Sequence, residues 1–180
     1  MKTICTLFFL LIAQLSVAQT AAADNRPSDA ITFQPIPKGP DIYGFFEGRI
    51  PCEGIVPQLQ LVTDKPCEKL KCRLELHRDP ASSKPTTFKL RIVGAGEVKQ
   101  QDGDSYRLLN MEGTWHTEKG MPGDAKAGLY VLEPATVNTK LYLWKGDDNV
   151  LFVLDNNKTF RTGNEYYSYT FNRIVPVPGK

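Results

Sequence analysis

The chain has 180 residues, with 22 Lys and Arg against 20 Asp and Glu, a formal charge of +2. Hydrophobic residues make up 41% and charged residues 23%, enough apolar material for one buried core, which excludes whole-chain disorder. The near balance of charge excludes the basic footprint by which nucleic-acid binders neutralise phosphates, and with only His77 and His116 the chain cannot build a site of several imidazoles.

The first residues address the compartment. Met1-Lys2-Thr3 carries a positive charge, residues Leu7 to Ala13 form an apolar run, and Ser16-Val17-Ala18 supplies the small residues a signal peptidase requires. That run is shorter than the roughly 20 residues a spanning helix needs. Residues 1–18 therefore read as a signal peptide. The expected product is exported to the periplasm or cell envelope, with no stable membrane insertion after cleavage. A lipoprotein would carry Cys at the first mature position, but Gln19 stands there, so a soluble rather than lipid-anchored protein is expected. Residues 19–40, with Pro27, Pro35, Pro37 and Pro40, read as a flexible leader. Residues 41–175 form a single domain, and 176–180 a tail in which Pro176 and Pro178 cannot donate to a ladder.

Within the domain the signal is period two. The first β-rich runs lie near 44–50 and 55–62. In residues 71–77, Cys72, Leu74 and Leu76 alternate with Lys71, Arg73, Glu75 and His77, and residues 87–92 repeat the pattern. Gly94-Ala95-Gly96 lacks the third glycine and following helix of a dinucleotide turn and reads as a bulge or hairpin turn. Runs near 95–100, 105–117 and 127–133 follow, with Glu118–Lys126 as a permissive loop containing Gly120, Pro122 and Gly123. Residues 141–144 and 150–154 are apolar strands joined by the turn Lys145-Gly146-Asp147-Asp148-Asn149. Asp155–Lys158 is a second turn, and residues 167–172 form the last strand. No amphipathic helix is evident. About eight to ten short antiparallel strands at this spacing mean an all-β barrel or sandwich.

Once Cys5 leaves with the signal, Cys52, Cys67 and Cys72 remain. An oxidising compartment favours pairing, and an odd count leaves one thiol over. Cys67 and Cys72 flank a predicted turn and can face each other across a hairpin; Cys52 can equally pair with either. Alternation puts His77 on the polar face and turns His116 away from Trp115, so both histidines read as solvated or structural. Met111 and Met121 read as core or loop residues. Nothing brings a base beside Cys52, and Asp147-Asp148 lacks the spaced oxygens of a calcium loop. The chain thus reads as non-enzymatic, with no catalytic or cofactor-binding residues assigned. Tyr130, Tyr142, Trp144, Phe152, Tyr167, Tyr169 and Phe171 are expected mostly to fill the core.

Gly48-Arg49-Ile50-Pro51-Cys52-Glu53-Gly54-Ile55, followed by Gln58-Leu59-Gln60-Leu61, resembles the opening of the NlpE-like copper-resistance family. Glu112-Gly113-Thr114-Trp115 is similar to its Gly-Thr-Trp strand. Leu151–Asp155 with Gly163, and Tyr169-Thr170-Phe171, are similar to its Leu-Asp-x-x-Gly turn and closing strand. The resemblance implies a small, lipocalin-like antiparallel β-barrel of the bacterial envelope, associated with copper tolerance and envelope-stress sensing. Two family features are absent: the lipobox cysteine and the CxxC, since Cys52 runs directly into Glu53-Gly54-Ile55. Copper is the cofactor the resemblance suggests, and Cys52, Cys67 and Cys72 are the residues to test as its ligands, with a disulfide as the competing use of their sulfurs. Asn157-Lys158-Thr159 fits a glycosylation acceptor, but the resemblance is bacterial and no role is assigned to it. An envelope protein partner, or a small apolar ligand held as in lipocalins, is the alternative expectation.

Overall fold

Leu70, Cys72, Leu74 and Leu76 are all buried and alternate with residues of the opposite face along one unbroken strand. This pattern recurs around the molecule and builds a closed barrel. The structure is a computed structural model that describes residues 36, 38–63, 66–100 and 106–175. The predicted signal peptide, most of the leader and the tail over 176–180 lie outside the described residues.

The elements are β1 (Ile42–Pro51), α1 (Ile55–Gln58), β2 (Leu61–Thr63), β3 (Lys69–Arg78), β4 (Pro85–Gln100), β5 (Tyr106–Met121), β6 (Asp124–Pro134), β7 (Leu141–Lys145), β8 (Val150–Val153) and β9 (Thr170–Arg173). Neighbouring strands run β4-β3-β1-β9-β8-β7-β6-β5, and β5 pairs back onto β4. Every pairing is antiparallel, so eight strands close as an up-and-down meander, as the sequence led us to expect of an all-β chain. β2 adds to the far end of β4, with Leu61 opposite Gln100.

Several expectations need correcting. The run 55–62 is not a strand: Gly54, at φ +74°, turns the chain into α1, and only Leu61–Thr63 is extended. Pro57 has no amide hydrogen for a ladder, whereas a helical turn needs none from it, and Val56 and Leu59 donate to the carbonyls of Cys52 and Ile55. The runs 87–92 and 95–100 are one strand. Gly94–Gly96 lies within β4, where the register with β5 shifts between Val93 and Val98, as a bulge requires. The segment Glu118–Lys126 is mostly hairpin rather than loop, with Met121 opposite Asp124 across Pro122-Gly123. Gly123 has φ +84°, the conformation a Pro-Gly turn demands at its third position. The last strand starts at Thr170, not 167. Both predicted turns form: Asp147 Oδ1 accepts from the amides of Asn149 and Val150, and Asp155 Oδ1 from those of Asn157 and Thr159.

The interior belongs to one cluster in which Phe46, Phe88, Phe171, Leu74, Leu132, Leu143 and their neighbours are essentially without exposure. Each mouth is closed. At one end the β1–β3 register slips between Ile42 and Gly44, which swings Tyr43 against the rings of Trp115 and Tyr130, with centroids 5.2 and 5.7 Å away. The Tyr43 and Tyr130 hydroxyls bond each other, and Trp115 Nε1 donates to the His77 carbonyl at 2.6 Å. At the other end α1 inserts Ile55, with Leu59 packed just beyond it. Gln58 ties this end down by donating to the Lys140 carbonyl at 2.9 Å and accepting from Arg161.

Of the aromatic residues expected to fill the core, Tyr130, Tyr169 and Phe171 do so, while Tyr142, Trp144, Phe152 and Tyr167 are only half-buried. Leu141, Leu143, Leu151 and Val153 take the inward positions of β7 and β8, so the alternating aromatic residues must face outward.

Candidate functional site

Cys52 ends the β1 region and Cys67 precedes β3, and the two are joined in a disulfide across 15 residues with their Cα atoms 5.7 Å apart. The bridge anchors both sides of the excursion that carries α1. Cys72 is the free cysteine among the described residues. No turn separates it from Cys67's end of the strand, because residues 69–78 form continuous β3, and Cys72 points into the core opposite Gly48 and Ile92. Burial pushes its thiol well above the usual cysteine range, so it stays neutral. The three sulfurs suggested as copper ligands therefore do not fit that metal as they stand: two are bonded to each other, and the third is a protonated thiol in an apolar interior. Among the described residues no other group of three or more His, Cys, Asp or Glu side chains is placed to hold a metal ion.

The histidines sit on the outer wall, as their alternation predicts. His77 lies between Asp41 and Glu75, at 3.6 and 3.7 Å. His116 lies between Glu118 at 3.1 Å and Glu133 at 3.8 Å. Lys158 and Lys140 extend that row, each 2.7 Å from the far carboxylate. The Lys158 ammonium, then His116, holds the Glu118 carboxyl below its ordinary range, and Lys140 does the same for Glu133. Met111 is buried in the core and Met121 stands at the β5–β6 hairpin.

The larger feature is an outer cleft of about 660 Å³ at the seam between β1 and β9. These strands pair over only two positions, Phe46 with Arg173 and Glu47 with Asn172, and then diverge towards α1. β1 lines the opening with Glu47, Gly48 and Arg49, and β3 contributes Lys71 and, at the base beside Gly48, the buried Cys72. Tyr166, Tyr167 and Ser168 form the opposite wall, and Thr170 and Asn172 extend it along β9. Glu47 is committed to Arg73, which reaches it from Nη2 at 2.6 Å and Nε at 2.8 Å. Lys69 donates to the Tyr167 hydroxyl at 2.6 Å and lies over that ring, and this hydrogen bond raises its pKa. Ser168 and Thr170 bond each other at 2.7 Å. Arg49 and Lys71 have no ion-pair partner among the described residues. A surface of cations without ion-pair partners among the described residues, together with hydroxyls and aromatic faces, can bind a polar anionic molecule that also presents some apolar surface.

Sequence reasoning named Arg49 only within the family-like opening and did not single out Lys71 or Tyr166. The alternation of β1 and β3 could have put Arg49 and Lys71 side by side, since they are register partners facing outward. Nothing local announces that β9 leaves β1 beyond Glu47.

Elsewhere on the wall Trp144 packs against Phe152 and Phe160, with Phe160 half-exposed. A second cleft, of about 560 Å³, lies between the β6–β7 connection and Asn156. Among the described residues no helix is long and apolar enough to cross a membrane.

Fold and site together define a closed eight-stranded up-and-down β-barrel with a filled interior and a polar cleft on its outer wall. No protein-family model, curated protein or solved structure matches the chain.

Proposed function

We propose that the protein is an exported, non-enzymatic binding module of the cell envelope whose barrel is a rigid scaffold and whose ligand or partner is met on the outer wall. The filled interior carries this reading. Side chains from every strand of the barrel occupy the space a lipocalin would leave for a ligand, and the Tyr43–Trp115–Tyr130 cluster and α1 stand across its two ends. The same packing weighs against an apolar ligand inside the barrel.

The Cys52–Cys67 disulfide supports export, because such bonds persist in oxidising compartments. A non-enzymatic role is supported by the neutral, buried Cys72 thiol and by histidines flanked by carboxylates rather than by a nucleophile. The resemblance to NlpE-like proteins keeps envelope-stress sensing as the setting. Copper handling through Cys52 and Cys67 would first require reduction of their bond.

Native mass spectrometry of the exported chain, with and without Cu(I), tests the reading. It predicts a mass two hydrogens below the reduced chain, no co-purified apolar molecule and no stoichiometric copper. Copper retained by the oxidised chain and lost in a Cys-to-Ser series would restore the metal reading. A retained lipid would restore the lipocalin-like one.

A further inference from the structure

We propose that the cleft between β1 and the segment 166–172 binds an anionic sugar, that is, a saccharide carrying a phosphate or carboxylate. The inference rests on the reading that recognition occurs on the outer wall, and it names the chemistry of that recognition.

Charge supplies the first half of the argument. The Glu47 carboxylate facing the cleft is neutralised by Arg73, whereas Arg49 and Lys71, register partners on adjacent strands, reach it without ion-pair partners among the described residues. Two cations on one wall without ion-pair partners among the described residues select an anion, and the Arg49 fork can grip two of its oxygens at once.

The opposite wall supplies the second half. A bare phosphate would need nothing more than the cations. Facing them, however, are the Tyr166 ring, largely open to solvent, and the adjacent Tyr167 ring, their centroids 6.2 Å apart. Beside them lie the Ser168 and Thr170 hydroxyls. An aromatic face against the C–H surface of a sugar ring, with hydroxyls and an amide side chain at its rim, suits a saccharide rather than an inorganic ion. A volume of about 660 Å³ is of the size that holds small molecules. The charged and hydroxyl groups of the lining disfavour a lipid tail, and the surplus of positive charge disfavours a metal cation.

Gly48 lies at the floor of the cleft, where a Cβ would collide with the Thr170 carbonyl oxygen, so the two walls approach closely there, and the β1–β9 pairing does not continue past Glu47.

Titration of the exported chain with glucose 6-phosphate, followed by amide NMR shifts, tests the site, with glucose and inorganic phosphate titrated in parallel. We expect shifts at Gly48, Arg49, Tyr167 and Ser168 and a dissociation constant on the order of 0.1–1 mM, as suits an open site. Binding should be roughly tenfold tighter than for glucose or phosphate alone. The double variant Arg49→Ala/Lys71→Ala should weaken it about tenfold or more, and Tyr166→Ala about threefold, with unchanged melting temperatures because these side chains face solvent. Absence of shifts at those amides, equal binding of inorganic phosphate, or variants that bind like the parent would overturn the inference. Dodecanoate titrated into the same sample separates the two failures: uptake into the barrel overturns the outer-wall reading as well, whereas a silent sugar without uptake overturns this inference alone.

Discussion

Glu47 and Arg73 are register partners across the β1–β3 ladder, and although both point to the outer wall, the Arg73 side chain is only 4% exposed. The sequence pattern places Arg73 on the solvated face with Glu75 and His77. The structure instead lays it over Phe45, itself buried, with its charge met by the Glu47 carboxylate. Long cationic stems cover apolar surface in this way when the head finds a partner. Replacing Glu47 with Gln removes the carboxylate while keeping the shape. It should cost about 1–3 kcal/mol, below the full value for a buried pair because Glu47 is partly exposed. Urea denaturation reads the difference; an unchanged midpoint would show that the Glu47 carboxylate is not what holds Arg73 in place.

Gly48 sets the spacing of the β1–β9 seam. A methyl group there meets backbone rather than a yielding side chain, so Gly48→Ala should destabilise by about 1–3 kcal/mol. Gly128→Ala is the control: its Cβ would meet nothing within 4 Å, and the change should stay within about 0.5 kcal/mol. Equal effects at the two positions would contradict the seam geometry.

The disulfide closes a loop of 15 residues around α1. Chain entropy alone gives such a bond about 3 kcal/mol. Cys52→Ser/Cys67→Ser should lower stability by that order and raise hydrogen exchange at Val56 and Leu59 far more than at Leu74 in the barrel wall. Uniform acceleration at all three sites would mean that the bridge supports the whole barrel.

Cys72 should be inert in the native state, since the thiolate is the reactive form and burial disfavours it. Thiol titration at pH 8 of the exported chain, from which Cys5 has been removed with the signal, should find no reactive cysteine in the folded oxidised state and one after unfolding. Rapid native labelling would place Cys72 outside the core.

Acid should weaken the fold through the row Lys140–Glu133–His116–Glu118–Lys158. Glu118 and Glu133 have carboxyls depressed below their ordinary range by Lys158 and Lys140, so the folded state binds protons less readily than the unfolded chain. Their stabilisation is complete above the unfolded value of about 4.3 and is lost as pH falls through the lower folded values. Melting temperature should therefore drop below about pH 4.3, and Lys158→Met with Lys140→Met should flatten that part of the curve. A steeper fall in the variant would have the wrong sign.

The barrel was legible where one face is buried and the other wet: Leu70, Cys72, Leu74 and Leu76 announce β3, and Asp147 and Asp155 announce their turns. α1 was missed because Ile55 and Val56 favour strands, and the opposing signals, a left-handed Gly54 and an amide-less Pro57, were outweighed by apolar character. In β7 and β8 both faces are apolar, so alternation could not tell that Trp144 and Phe152 face outward. Which cysteine pairs with Cys52 depends on the path of the chain through α1, a matter of tertiary geometry. The cleft is less legible still. It arises from two strands that part after two pairings, and its residues come from positions as distant in sequence as Arg49 and Tyr166.

The central claim is that the barrel is filled by its own side chains and recognises from outside. Titration with dodecanoate, followed by methyl NMR shifts of Leu74, Leu132 and Leu143, tests it most directly. The account predicts that these interior methyls stay in place to millimolar concentration; saturable shifts of all three would show a ligand entering the barrel and would contradict it.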